Sequence, residues 1–283
     1  MSNSATTAWR AGWSRGLIEL RQSLTNAGDL FNHCFWPVLM LITTYFLRDV
    51  SFGQTAFSLG TLAVPSILGM NAGMAMITMS QHLTADREDG TLLRAKATPN
   101  GMTGYLIGKI VMVSGGLVVD LAIFLIPGLL LVPGLVVAGP GSWLTLLWVF
   151  LLGLVATLPI GAVLGSVFTS ARGQGLLQLP MLGLIAVSGV FYPITVLPEW
   201  AQAIAQVFPV YWLGLGMRSA LLPDGAVAVE IGESWRHLET AGVLAAWAVL
   251  GLAVAPIVLR RMARGESGST VAARRERALQ RVA

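Results

Sequence analysis

Asp86-Arg87-Glu88-Asp89-Gly90-Thr91-Leu92-Leu93-Arg94-Ala95-Lys96-Ala97-Thr98-Pro99 is a polar interruption between two long stretches almost free of charge. Its six ionised side chains mark a loop between membrane spans. The loop has internal design: a charged turn, a Gly-Thr pair able to open a helix, a short helical run, and a Pro that stops it. A segment of this kind suits docking to a soluble partner.

The apolar flanks extend to the whole chain. Of 283 residues, 55% are hydrophobic and 11% charged, against roughly 25% charged in an ordinary soluble domain. The sequence therefore describes an all-α integral membrane protein packed as one domain, with no soluble stretch long enough to bury a core of its own. The lone Cys34 excludes an internal disulfide and any metal site built on several cysteines. No apolar run begins in the first two dozen residues, so the first span is expected to direct insertion itself. Lys96 and Lys109 are the only lysines among 18 basic residues, and Ala, Gly and Val are abundant, a GC-rich style of bacterial coding.

A spanning helix needs roughly 20 mostly apolar residues. Six stretches qualify, near Phe31 to Leu47, Phe57 to Ser80, Gly104 to Val132, Trp143 to Phe168, Gly175 to Leu197 and Thr240 to Leu259. An even count puts both termini on one side, and basic residues accumulate in short cytoplasmic segments. With the termini inside, the basic residues of the N-terminal arm, the 86–99 loop, Lys109, Arg172 and the tail from Arg260 are cytoplasmic. Only Arg48, Arg218 and Arg236 lie outside, among most of the remaining acids. The expected location is a bacterial inner (plasma) membrane, multi-pass, with both termini cytoplasmic.

Before the first span, Trp9, Trp13, Leu17, Leu20 and Leu24 recur at helical spacing along one stripe, as in a helix lying at the cytoplasmic interface. After the fifth span, Pro198 to Leu222 is apolar but broken by Pro209 into pieces too short to cross, which predicts short external re-entrant helices capping a vestibule, or a hairpin lying on the surface. The organisation read from the chain is residues 1–29 as an N-terminal interfacial helix, 30–260 as the six-span unit and 261–283 as a basic cytoplasmic tail that contacts lipid.

Nucleotide and enzyme signatures fail. Gly108-Lys109 resembles the end of a phosphate loop, but Thr103 and Ile110 occupy positions that the motif reserves for Gly and for Ser or Thr. Gly104 and Gly108 read instead as a small face for close helix approach. The spans hold almost no His, Asp or Glu with which to build a metal or acid–base site. Asp120, mid-way along the third span, is the exception. An acid there costs about 2.5 to 3.5 kcal/mol on insertion scales; it reads either as a substrate or proton site or as a carboxylate paired inside the bundle. Pro65, Pro127, Pro159 and Pro180 interrupt four spans and predict kinks.

Two motifs, in this order on an N-inside, six-span topology, carry a resemblance. The first is Arg87, Glu88, Gly90, Thr91 and Leu92 with Thr98-Pro99. The second is Ser188-Gly189 with Pro193, followed by Leu197-Pro198 and Trp200. In both, the chain resembles the type-2 permeases of ABC transporters, the membrane subunits of ABC exporters. The resemblance implies that residues 87–99, with Arg87, Glu88, Asp89, Gly90, Thr91, Leu92, Arg94 and Pro99, form a coupling helix against a separate ATPase subunit. It places Ser188, Gly189, Pro193, Pro198 and Trp200 in an external cap. Leu93-Arg94-Ala95-Lys96 makes this coupling helix more basic than those of many relatives.

The same resemblance implies efflux of a drug, antibiotic or lipid-like compound, and the scarcity of polar residues in the spans favours an amphipathic or hydrophobic one. ATP and Mg would sit on the ATPase subunit, with no cofactor on this chain. The implied partners are that ATPase, a second permease chain, identical or different, membrane lipids and a small-molecule cargo, with no nucleic acid. Two rival classes remain: a proton-coupled secondary transporter using Asp120, and a membrane anchor or immunity factor that moves nothing.

Overall fold

The computed structural model describes residues 2–51, 57–98, 100–137, 139–168 and 171–265. Pro99 and the tail beyond residue 265 lie outside the described residues. Among these, ten α-helices follow one another: α1 (Ser2–Thr25), α2 (Ala27–Leu47), α3 (Leu59–Glu88), α4 (Thr91–Lys96), α5 (Gly101–Leu131), α6 (Pro140–Val167), α7 (Ala171–Val187), α8 (Glu199–Val207), α9 (Pro209–Leu221) and α10 (His237–Gly265). The chain is a multi-pass membrane protein, all-helical among the described residues.

Among the described residues five helices, α2, α3, α5, α6 and α10, are long and apolar enough to cross a membrane. The expected span from Gly175 to Leu197 takes another form. Its helix, α7, has 17 residues, or ~25 Å at 1.5 Å per residue against a hydrocarbon core of about 30 Å. It stops before Ser188-Gly189, where Gly189 turns the chain with φ 67. Apolar composition continues past that turn, which is why the run reads longer in sequence than the helix is. At the far end, α10 continues through Gly265, past residue 260.

α3 is the central post, enclosed by protein along most of its length, whereas α2 is largely exposed. It packs on α6, α9, α5 and α2, and α10 completes the bundle against α6. The break at Pro209 is real: α8 ends at Val207 and Pro209 occupies the first turn of α9, where its missing N–H leaves nothing unsatisfied. α9 then runs antiparallel to α3, with Val210 beside Gly73, Gly214 beside Gly69 and Arg218 beside Ser66. A Cβ on Gly69 would collide with the backbone of Gly214, so the two helices approach at backbone distance. Nearly every side chain of α9 is buried.

α1 lies alongside α5. Gly12 and Gly16 face Gly104 and Gly108, and a side chain on either α1 glycine would strike the α5 backbone or the branched Ile107 and Val111. This seam places Trp9, Trp13 and Leu17, all exposed, along a groove floored by α5 and edged by α6.

Candidate functional site

The α3–α4 turn is built by local rules. α3 ends at Glu88 with Asp89 as its cap. Gly90 has φ 82, a conformation that an L side chain resists. The Asp89 carboxylate accepts from the Thr91 N–H at 2.7 Å and so opens α4. Three residues after α4 begins, the Arg94 guanidinium reaches back to Thr91 Oγ1 at 2.9 Å. At the other end of α4, Thr98 donates to the Ala95 carbonyl and Asn100, with φ 53, turns the chain into α5.

This geometry sorts the residues expected to form the loop surface. Leu92, 1% exposed, and Ala95 are inserted into a core shared with Leu83, Tyr105, Leu259 and Met262. Glu88, Asp89, Arg94 and Lys96 are exposed, and Gly90 and Thr91 are half-buried. Arg87 points the other way. It is 6% exposed and donates to the carbonyls of Ser166 at 2.9 Å and Gly165 at 3.4 Å. Carbonyls in the last turn of a helix have no partner within it, and a cation there also complements the helix dipole. Arg87 therefore fastens the end of α3 to the end of α6.

Beneath α4 runs a buried chain of charges. Asp86 accepts from the Tyr105 hydroxyl at 2.6 Å and pairs with Lys109 at 2.9 Å. The Lys109 ammonium, whose side chain is only 6% exposed, also pairs with Glu19 at 2.8 Å, and Glu19 takes a further bond from Arg15 at 2.7 Å. Arg15 closes the circuit, its guanidinium 5.4 Å from the centroid of the Tyr105 ring. Two cations and two carboxylates thus join α1, α3 and α5. Burial alone would raise the pKa of Glu19, but the bonds from Lys109 and Arg15 outweigh it and hold the carboxyl below its ordinary range. Between α1 and the α4–α5 turn an open groove of about 670 Å³ is lined by Thr7, Ala8, Arg15, Ala95, Thr98 and Asn100, among others.

At the opposite end of α3, Arg218 of α9 and Glu230 pair at 2.6 Å with 4% and 3% of their side chains exposed. Arg218 also donates to Ser66 Oγ at 3.0 Å and to the Gly189 carbonyl. Of the residues expected in the cap, Ser188 and Gly189 are buried at this junction. Pro193 and Pro198 precede the short 3₁₀ turn Ile194–Val196 and α8, and Trp200 is 66% exposed. The structure also gives Asp120 a partner: His33 Nδ1 lies 2.5 Å from its carboxylate, and His33 Nε2 shares a hydrogen bond with Ser23 at 2.9 Å. Sequence reasoning missed Arg218 and Glu230 as a site. The available signal was that both are lone charges in otherwise uncharged stretches, Arg218 between Met217 and Ser219 and Glu230 between Val229 and Ile231.

The model of a protein family described as ABC-2 family transporter protein matches residues 37–256. No curated protein matches the chain.

Proposed function

We propose, since the chain belongs to the ABC-2 family of transporter proteins, that it is the permease subunit of an ATP-driven exporter and that a separate ATPase subunit docks on the exposed face of α4. The observation that carries this reading is the division of the 86–98 segment. Leu92, Ala95 and Arg87 anchor it in the bundle, while Glu88 and Asp89 at the end of α3 and Arg94 and Lys96 on α4, a helix too short to serve as a span, are exposed. The groove between α1 and α4 extends that docking face.

The anchors supply the path for force. A push on α4 reaches α10 through Leu259 and Met262, α6 through Arg87, and α5 and α1 through the Asp86–Lys109–Glu19 chain. α3, 30 residues and about 45 Å long, leads to Ser66 beside Arg218 at the other end. ATP binding and cargo binding each favour a different arrangement of these elements, which is what coupling requires. The termini and α4 face the cytoplasm of a bacterial cell, and a second permease chain completes the path.

The cargo is amphipathic or hydrophobic. A cleft of about 530 Å³ between α3, α6, α7, the α8–α9 turn and α10 supports this, with Met76, Ile160, Met181, Leu184, Phe208 and Trp247 on its wall. Its size suits a drug-sized molecule.

Co-purification with the ATPase subunit encoded beside this chain tests the reading, comparing wild type with Glu88→Ala/Arg94→Ala. A complex that hydrolyses ATP and is lost or uncoupled in the double variant supports docking on α4. A permease that binds no ATPase, yet transports in a manner abolished by Asp120→Asn, would replace this function with a proton-coupled carrier.

A further inference from the structure

α5, α6 and α10, with Met79 of α3, line a cleft of about 390 Å³ at the end of the bundle that carries α4. Its wall is apolar, with Met79, Leu106, Ile110, Leu158, Pro159 and Leu252. At its mouth stand Thr103 and the exposed Arg260, which lines the cleft directly. Arg261 and Arg264, on the same last turns of α10, are exposed but do not line it. An apolar slot at membrane depth with a guanidinium at its rim has the chemistry of one molecule type, a hydrocarbon chain ending in an anionic headgroup.

We infer that this cleft is a binding site for a single anionic phospholipid of the bilayer, its acyl chain lying between α5 and α10 and its phosphate on Arg260. The inference rests on the membrane location and not on the ATPase. Dispersion with the hydrocarbon fills the slot, which offers water too few polar partners to hold it. The Arg260 charge selects an anionic over a zwitterionic headgroup. The site has a consequence for coupling, because Leu259 and Met262, adjoining Arg260 on α10, pack in the same core as Leu92 of α4. A bound lipid would wedge α10 from α5 directly behind the docking helix, so ATPase coupling would depend on anionic lipid.

The test is photolabelling of the full chain in phosphatidylcholine nanodiscs doped with a phosphatidylglycerol that carries a diazirine in its acyl chain. Label is expected on Leu106, Ile110 or Leu252, displaced by unlabelled phosphatidylglycerol and not by phosphatidylcholine. Arg260→Gln should lower that label about fivefold, the value of one basic residue near an anionic headgroup. Arg261→Gln, with the same change in net charge outside the cleft, should leave it near wild type. Ala263→Trp, which narrows the mouth while keeping every charge, should also reduce it. Equal losses in Arg260→Gln and Arg261→Gln would mean diffuse surface attraction and overturn the site. So would displacement by phosphatidylcholine, or label no higher than at Leu130, which is 81% exposed near the other end of α5. No ATPase enters the assay, so its outcome is separate from the docking result.

Discussion

The two ends of α3 handle buried charge in different ways. At the α4 end, Asp86 belongs to a chain in which Lys109 serves two carboxylates, Glu19 has a second cation in Arg15, and Asp86 has a second donor in Tyr105. The chain reaches the surface at Arg15 and Glu19, whose side chains are 36% and 20% exposed. At the α9 end, Arg218 and Glu230 ion-pair only with each other among the described residues, the further bonds of Arg218 going to the uncharged Ser66 and Gly189, and the pair has almost no contact with solvent. In the branched chain Glu19 can lose one cation and keep another. A closed pair is either made or broken, and breaking it strands a charge. The comparison teaches that the end expected to be pushed by a partner has redundant electrostatics, whereas the end that holds α9 against α3 is all-or-none.

The largest effect should therefore come from the closed pair. Arg218→Met or Glu230→Leu alone leaves an unpaired buried ion and should cost roughly 3–5 kcal/mol, whereas the double variant should recover most of the loss. Thermal unfolding of the purified chain in detergent, followed by gel filtration, measures both. A double variant as poor as either single one would show that Ser66 and Gly189, not the mutual attraction, hold Arg218, and the contrast between the two ends would fail.

Lys109→Met comes next. It removes the central cation, but Glu19 keeps Arg15 and Asp86 keeps Tyr105, so the expected loss is smaller, about 1–3 kcal/mol. A loss equal to that of Arg218→Met would mean that the branches provide no redundancy. Tyr105→Phe sharpens the same point: with Lys109 in place the deletion of one hydroxyl should cost about 1 kcal/mol. In the Lys109→Met background it should cost distinctly more, because Asp86 then loses its last partner in the chain. The difference between the two backgrounds, read as a double-mutant cycle on the same unfolding assay, measures the redundancy directly.

The sequence made the α4 end more legible than the α9 end, for physical reasons. Gly90-Thr91 and the polar run around it specify a turn and a short helix through local backbone rules, and Pro209 marks the α8–α9 break in the same way. Facing direction is not local. Arg87 reads as a solvated loop charge until the carbonyls of Gly165 and Ser166, nearly 80 residues away in the chain, are placed beside it. Arg218 and Glu230 likewise read as residues of an outside segment, because nothing in a hydropathy pattern says that two charges separated by a turn will close on each other. The glycines at 104 and 108 announced a close approach but not its partner, which proved to be the matching pair at 12 and 16. The run from Gly175 to Leu197 shows the converse: composition stays apolar across a turn made by Gly189, so the helix ends at Val187, short of the expected bound.

The smallest expected effect is a dependence on acid at the margin of the branched chain. Glu19 is partly buried and its carboxyl is held below its ordinary value of 4.5, because its bonds to Lys109 and Arg15 favour the ionised form. A carboxyl more acidic when folded than when unfolded contributes stability that is present above its unfolded value and lost as pH falls through the folded one. Glu19→Gln keeps the shape and an acceptor but not the charge. Wild type should thus exceed Glu19→Gln in unfolding temperature at pH 7, by a margin worth about 1 kcal/mol or less at a site this near the surface. The margin should shrink as the pH is taken below 4.5. It should also shrink in high salt, which screens a partly exposed pair far more than a buried one, so the Arg218–Glu230 cycle repeated in the same salt should hardly move. A margin indifferent to acid and salt would place the contribution of Glu19 in its packing and remove the electrostatic basis for calling this end redundant.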